Sequence, residues 1–355
     1  MQAPRIALAE WVSASGISSF RDRTMMPTTR RGALLGGIGL AASASALRAA
    51  AAPGEAAIVS TWDFGAAANA AAFQRLRSGG SLIDAVEAGA MVPEADPTNH
   101  SVGLGGYPDR DGIVTLDAII MDDAGHVGAV AALEDTVHAI SVARRVMERT
   151  PHTILVGDGA TRFAREQGFP KRNLLTAEAK AAWQEWLKTS RYQPVANIEN
   201  QRTPSPGSAR DHDTIGILAR GADGRLAGAC TTSGMAFKLH GRVGDSPQSG
   251  CGLFVEAGVG AATSTGVGEE VTRIAGTARV VASMRAGLSP AAACQEAVQH
   301  IARLRGDAVK DVQVGFLALS RDGTVGAFAL QPGFTFAVTD ASGKTEVRPS
   351  PSLKT

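Results

Sequence analysis

The run Asp211-His212-Asp213-Thr214-Ile215-Gly216 is a seam between two unlike halves of the chain. Ahead of it, over residues 188–211, the hydrophobic period fades while Pro194, Pro204, Pro206 and Gly207 accumulate. Such a stretch buries too little apolar surface to repay the entropy of ordering, so a mobile tail or loop is expected there. A variable surface loop accounts for the composition equally well. Behind the seam the pattern turns to paired strands, 215–220 and 226–233, around Ala222-Asp223-Gly224. A threonine heading the first of these strands has a chemical reading. Its hydroxyl is a weak nucleophile without a base beside it. At a chain N-terminus it carries that base itself, an α-amine with a pKa of about 7.7 to 8, and needs no His–Asp pair. Thr214 lies deep inside the encoded chain, so this chemistry requires the Asp213–Thr214 bond to break. Taken alone, an Asp-Thr pair at a strand start is an ordinary turn, and the reading stands only with further motifs.

A chain of 355 residues can bury a substantial core in one large or two average domains. Its net charge of +1 creates no field for nucleic acid or an anionic membrane. Cys230, Cys251 and Cys294 are too few for a disulfide framework, although one bridge is compatible with export, and neither they nor the histidines show zinc-ligand spacing. Residues 28–53 have a charged start, an apolar run over 33–47 and small residues before a proline, the pattern of an export signal. The apolar run is too short for a comfortable membrane span. Arg30-Arg31 reads as a twin-arginine address, with Ala33 where a phenylalanine is commoner; a general secretory signal is the alternative. Residues 1–24 are unlike the usual start of such a signal, and Met25 and Met26 are alternative translation starts. An exported, periplasmic or secreted protein is expected, with 1–52 removed or accessory, 53–213 and 214–355 forming one catalytic domain, and no membrane association after the signal is lost.

Along the rest, 57–62 reads as a strand followed by two helices, the second capped by Ser81 with Leu82, Ile83, Val86 and Ala90 at helical spacing. Strands are expected over 114–121, 127–133 and 153–156, and helices over 141–147 and from 157 to about 167. Beyond the seam, strands over 252–256 and 260–265 precede helices over 268–286 and 290–304, then strands over 312–319 and 325–330. Strands, two helices and strands again in both halves point to an α+β protein with two sheets face to face and helices outside, though the pattern admits other α+β arrangements.

Several motifs in fixed order carry a resemblance. HDTIG at 212–216, ACTTSGM at 229–235, GRVGDSP at 241–247 and TSTGVGEE at 263–270 are joined upstream by STWDFG at 60–65, the run at 96–118 and PHTILVGDGATRFA at 151–164. Over roughly residues 58–330 the chain resembles the glycosylasparaginases, N-terminal-nucleophile hydrolases. The resemblance implies a four-layer αββα sandwich and self-cleavage in which the Thr214 hydroxyl attacks the Asp213 carbonyl, with Asp213 assisting. It implies that Thr232 hydrogen-bonds around the nucleophile, that Arg242 and Asp245 clamp the carboxylate and ammonium of an α-amino acid, and that Thr265 and Gly266 form an oxyanion hole. Gly268 is implied near the amino-acid end of the substrate, Trp62 at the rim of the site, and Ser101 as a weaker neighbour.

Each residue type also has a plainer use. A strand threonine is usually a propensity choice, an Arg/Asp pair three apart a surface ion pair, and a tryptophan after a strand part of the core. GVGEEV lacks both dinucleotide-binding spacing and a GK[ST] phosphate loop. The expected activity is hydrolysis of the amide joining N-acetylglucosamine to the asparagine side chain, with no cofactor, no metal and no nucleic acid. The small-molecule substrate is a glycosylasparagine or β-aspartyl compound. The processed chains are expected as an αβ heterodimer, with pairing as (αβ)2 left open. The isoaspartyl peptidases and plant-type asparaginases share the nucleophile and clamp, while HDT and TWDFG favour the glycosylasparaginase side. An exported amino-acid-binding protein with the clamp but no cleavage is a rival of another class.

Overall fold

The structure, a computed structural model, describes residues 57–190 and 214–354. The export signal, Asp213, His212 and the tail from 191 onward lie outside the described residues. In chain order the elements are β1 (Ala57–Thr61), α1 (Gly65–Arg77), α2 (Leu82–Ala95), β2 (Leu116–Asp122), β3 (Val127–Leu133), α3 (Ala139–Arg149), β4 (Ile154–Val156), α4 (Gly157–Glu166) and α5 (Ala177–Thr189). After the seam come β5 (Ile215–Arg220), β6 (Leu226–Thr232), β7 (Leu253–Glu256), β8 (Gly260–Gly266), α6 (Gly268–Thr272), α7 (Gly276–Arg285), α8 (Pro290–Arg305), β9 (Val314–Ser320), β10 (Val325–Ala329), β11 (Thr335–Thr339) and β12 (Thr345–Pro349).

The strands form an eight-stranded sheet, in the order β12-β11-β1-β5-β6-β2-β3-β4, and a four-stranded one, β10-β9-β8-β7. The large sheet mixes strands from both sides of the seam: β5 is hydrogen-bonded to β1 on one side and β6 on the other. Strand alternation then sorts the side chains. On β5, Ile215, Ile217 and Ala219 join the core made with α1, α2 and α3, while Leu218 joins a second core with Leu253, Ala261 and Leu317 of the small sheet. The other face of the small sheet, including Ala262 and Phe316, packs on Val280 and Val281 of α7 and Ala297 and Val298 of α8. Strands buried on both faces read as unbroken apolar runs, which is why 215–219 shows little polar alternation.

Local rules explain the helix starts. Ser81 and Asp84 exchange a capping box, Asp84 N to Ser81 Oγ at 3.1 Å and Ser81 N to Asp84 Oδ2 at 2.9 Å. Ser289 caps α8 at 3.3 Å ahead of Pro290 at the first helical position. Other expectations shift. The single helix over 268–286 is two, broken over 273–275, where Ala275 has a left-handed φ of 50°; Gly276 after it packs so close to the Phe316 ring that a Cβ would lie 2.6 Å from it. Lys188 and Thr189, expected in the tail, instead complete α5. Residues beyond 330 are also part of the fold: β11 and β12 form a hairpin paired to β1. No helix among the described residues is long and apolar enough to cross a membrane. All three cysteines are buried free thiols.

The two sheets approach closely where Gly216 of β5 meets Thr263 of β8. A Cβ at Gly216 would lie 2.0 Å from Thr263 Oγ1. Gly216→Ala is therefore expected to cost about 1–3 kcal/mol, the usual range for overpacking, read as a lower denaturation midpoint; adding Thr263→Ala should recover part of the loss.

Candidate active site

Thr214 precedes β5 by one residue, so alternation puts it on the same face as Gly216 and Leu218, between the sheets. It is buried, with 5% of its surface exposed. Its carbonyl accepts the Thr61 hydroxyl at 2.7 Å, and the same Thr61 oxygen accepts from Gly216 N at 3.0 Å. The end of β1 thus clips the head of β5. The Thr214 hydroxyl lies 3.5 Å from that of Ser246. The register that pairs Ile215 with Thr231, continued by one residue, sets Thr232 opposite Thr214. Thr232 Oγ1 donates to Ser101 O at 3.1 Å and accepts from Gly234 N at 2.9 Å. Thr231 itself donates to buried Glu94 at 2.7 Å, and Ile140 N reaches the same oxygen at 2.9 Å, so α2 and the start of α3 brace this strand end. Burial raises the Glu94 pKa above the ordinary carboxylate range, although His138, Thr231 and Ile140 pull the other way.

On β8 the same alternation turns Ala261, Thr263 and Thr265 toward the large sheet. Thr265 Oγ1 accepts a hydrogen bond from Trp62 Nε1 at 2.9 Å. Trp62 sits just past β1 with a left-handed φ of 65°, its ring edge-on to Phe334 with centroids 5.1 Å apart. Backbone strain of this kind in a non-glycine residue clusters at functional sites. Gly266 has a φ of +96° and would place a Cβ 2.3 Å from Gln313 O, so only glycine fits. A Cβ on Gly268 would meet Asp245 Oδ1 at 2.5 Å, and its absence lets α6 close over that carboxylate.

The two charged residues are held differently from a surface pair. Arg242 makes a bidentate contact with Glu269, Nε to Oε1 at 2.7 Å and Nη2 to Oε2 at 2.6 Å. Asp245 is 3% exposed and accepts from Ser264 Oγ at 2.6 Å. Burial pushes its pKa up; the Ser264 bond and the Arg242 charge oppose the shift.

These residues converge. One small pocket, of about 10 Å³, is lined by Thr214, Thr232, Arg242, Asp245 and Gly266 together with Gly234, Met235, Gly244 and Ser246. Trp62, Thr265 and Gly268 are not among its lining residues but adjoin them: Trp62 bonds to Thr265, Thr265 precedes Gly266, and Gly268 packs against Asp245. Sequence reasoning missed Ser246, Thr61, Ser264 and Glu269. Ser246 lies inside GRVGDSP, where a hydroxyl next to a charged residue was a usable signal; the other three act through contacts between distant segments. Asp109, Asp111 and His240 bring potential ligand atoms within 4.8 Å of one another. The Asp109 oxygens are already taken by Asp111 N and Ile113 N at 2.9 Å and His240 Nδ1 at 2.7 Å, which staples the loop between α2 and β2 to the 240 segment.

A buried hydroxyl heading a central strand, with an Arg and an Asp lining the same pocket, has the groups that acyl transfer on an amino-acid-like substrate requires. Residues 40–348 match the asparaginase family. The chain belongs to the asparaginase family. Within it, the chain is 55% identical over 300 residues to the N(4)-(beta-N-acetylglucosaminyl)-L-asparaginase of Elizabethkingia miricola, covering 84% of this chain and 85% of that one. It is 40% identical over 264 residues to the rat (Rattus norvegicus) protein of that name, covering 69% and 76%. The corresponding mouse (Mus musculus) protein is 39% identical over 265 residues, with the same shares of 69% and 76%. The family match reaches beyond the 58–330 span of the sequence motifs, in keeping with β11 and β12 lying in the main sheet.

The raised Asp245 pKa has a stability consequence. Above its folded pKa the buried charge penalises the native state, and below the ordinary value of 3.8 the penalty is absent. Asp245→Asn, which keeps an acceptor for Ser264, should therefore melt no lower than wild type at neutral pH. The difference should shrink as pH falls through the carboxylate range, as scanning calorimetry across pH would record.

Proposed function

We propose that this chain is an N(4)-(β-N-acetylglucosaminyl)-L-asparaginase that activates itself by cleavage between Asp213 and Thr214. The observation that carries the reading is the convergence of Thr214, Thr232, Arg242, Asp245 and Gly266 on one pocket at the ends of β5, β6 and β8; the names of the relatives supply the substrate. In the precursor, Thr214 Oγ1 attacks the Asp213 carbonyl carbon, the peptide C–N bond breaks as the ester forms, and water hydrolyses the ester. The products are an Asp213 carboxylate and a free Thr214 amine. Because β5 lies between β1 and β6, the ladder keeps the two chains together after the cut. That favours a single catalytic domain and an αβ heterodimer.

In turnover the Thr214 amine takes the hydroxyl proton, and Oγ1 attacks the side-chain amide carbon of the bound asparagine. Negative charge gathers on the amide oxygen, where the Thr265 hydroxyl and the Gly266 backbone donate. Trp62 supports this role by donating to Thr265 Oγ1, which helps fix where that hydroxyl sits. The tetrahedral adduct collapses, the ammonium returns its proton to the departing glycosylamine, and water then splits the β-aspartyl ester to release aspartate. Asp245 receives the substrate ammonium, gaining a counter-ion for its buried charge. Arg242 meets the α-carboxylate from its Nη1 side, its Nε–Nη2 edge being held by Glu269. No step calls for a cofactor.

The three cores, helices on sheet, sheet on sheet and sheet on helices, support the four-layer αββα arrangement of N-terminal-nucleophile hydrolases. The twin-arginine-like segment at 28–53 supports an exported, periplasmic location.

Purified wild-type protein should run as two chains, the second beginning Thr-Ile-Gly, whereas Thr214→Ala stays whole and loses at least about 10³-fold in activity, as removal of a nucleophile does. Intact mass and N-terminal sequencing read the first, and turnover of glycosylasparagine, asparagine and β-aspartyl dipeptides reads the second. An uncut wild-type chain, or turnover confined to dipeptides, would overturn the assignment.

A further inference from the structure

Behind the pocket wall lies a second cation that the mechanism above does not use. Lys238 is 2% exposed. Its ammonium donates to two neutral carbonyls, Ser233 O at 2.8 Å and Thr115 O at 3.3 Å. A Cβ at Gly234 would lie 2.8 Å from Lys238 Nζ and 3.2 Å from Arg242 Nη1. The two cations therefore flank the same pocket-lining glycine, and any side chain there would push them apart. We propose that Lys238 is a positioning residue that, through Arg242 and the Ser233–Gly234 turn, makes the α-carboxylate end of the pocket a two-cation subsite. This rests on the reading of the pocket as an α-amino-acid site.

Charge arithmetic supports the idea. Glu269 engages Arg242 from its outer edge. On the other side, Asp117 gives one oxygen to Ala132 N at 2.8 Å. Its second oxygen, Thr115 Oγ1 and Ser233 Oγ are buried without a hydrogen-bond partner among the described residues. A buried ammonium bonded only to carbonyls is costly to the fold. A purely structural tether for the turn would be met more cheaply by a neutral donor. The cost is repaid when a substrate carboxylate enters, because in a low-dielectric wall a charge one residue behind the surface still acts strongly on it. Burial first of all, then Arg242, lowers the Lys238 pKa to about 8, while Asp117, Asp109 and Glu269 raise it. A bound carboxylate adds to the groups that keep it charged.

The test uses the processed enzyme with glycosylasparagine and with the analogue lacking the α-carboxylate, the glycosylamide of β-alanine. Lys238→Met should raise KM for the first substrate about tenfold or more, change kcat by less than about threefold, and leave the second substrate unaffected. Equal losses on both substrates, or none on either, would overturn the proposal. Should the variant fail to fold or cleave, wild-type calorimetry decides: the affinity ratio of L-aspartate to β-alanine should fall as pH rises through about 8 and the ammonium is lost. The Thr214 amine titrates nearby but faces both ligands alike. A flat ratio would overturn the two-cation subsite, whereas absence of glycosylasparagine turnover in the wild type would instead overturn the assigned activity.

Discussion

Everything at the site depends on where strand β5 is held. Its backbone is bonded to β1 on one side and β6 on the other, and Thr61 clips its first residues through the Thr214 carbonyl and Gly216 amide. A hydroxyl at the head of that strand has no freedom to wander, since moving it would break ladder bonds on both flanks. The missing side chain at Gly216 then lets the second sheet approach to van der Waals contact, which brings Thr265 and Gly266 at the end of β8 to the same place. Position is set by the backbone and by packing, so little entropy remains to be lost when a substrate binds.

The polar groups around that point are balanced by burial rather than by simple pairing. Asp245 and Glu94 both have raised pKa values for the same first reason, loss of water, and Lys238 is lowered for that reason too. Each is held by hydrogen bonds from a neighbouring segment: Ser264 for Asp245, Thr231 and Ile140 for Glu94, two carbonyls for Lys238. Such groups stabilise a fold poorly. Their concentration around the pocket marks it as the candidate functional site of the molecule.

Much of the fold was legible because β-strands buried on two faces announce themselves as apolar runs. The ranges expected at 127–133, 260–265 and 325–330 match β3, β8 and β10 to within a residue. The failures are instructive. The hairpin of β11 and β12 lies at the sheet edge, and its strand 345–349 is largely polar and exposed, so its hydrophobic signal is weak. The break between α6 and α7 has no proline, and its one local signal is Gly276, a single glycine in a glycine-rich chain; the left-handed Ala275 precedes it, and its close approach to the distant Phe316 ring is visible only in the fold. Thr61 and Ser264 look like ordinary strand residues until the segments they bond are seen.

The sequence by itself determined the local chemistry: which strand begins with a threonine, where glycines permit close approach, which stretch carries Arg242 and Asp245, and the order of motifs that leads to the asparaginase family. Those are properties of spacing and residue type, and they survive in one dimension. Only the tertiary structure decided that strands from both sides of Thr214 share one sheet, that Glu269 rather than solvent holds Arg242, and that Lys238 stands behind Gly234. Those facts arise from contacts between segments distant in the chain, such as Gly216 and Thr61, 155 residues apart, and no local pattern encodes which distant partner a buried polar group will find.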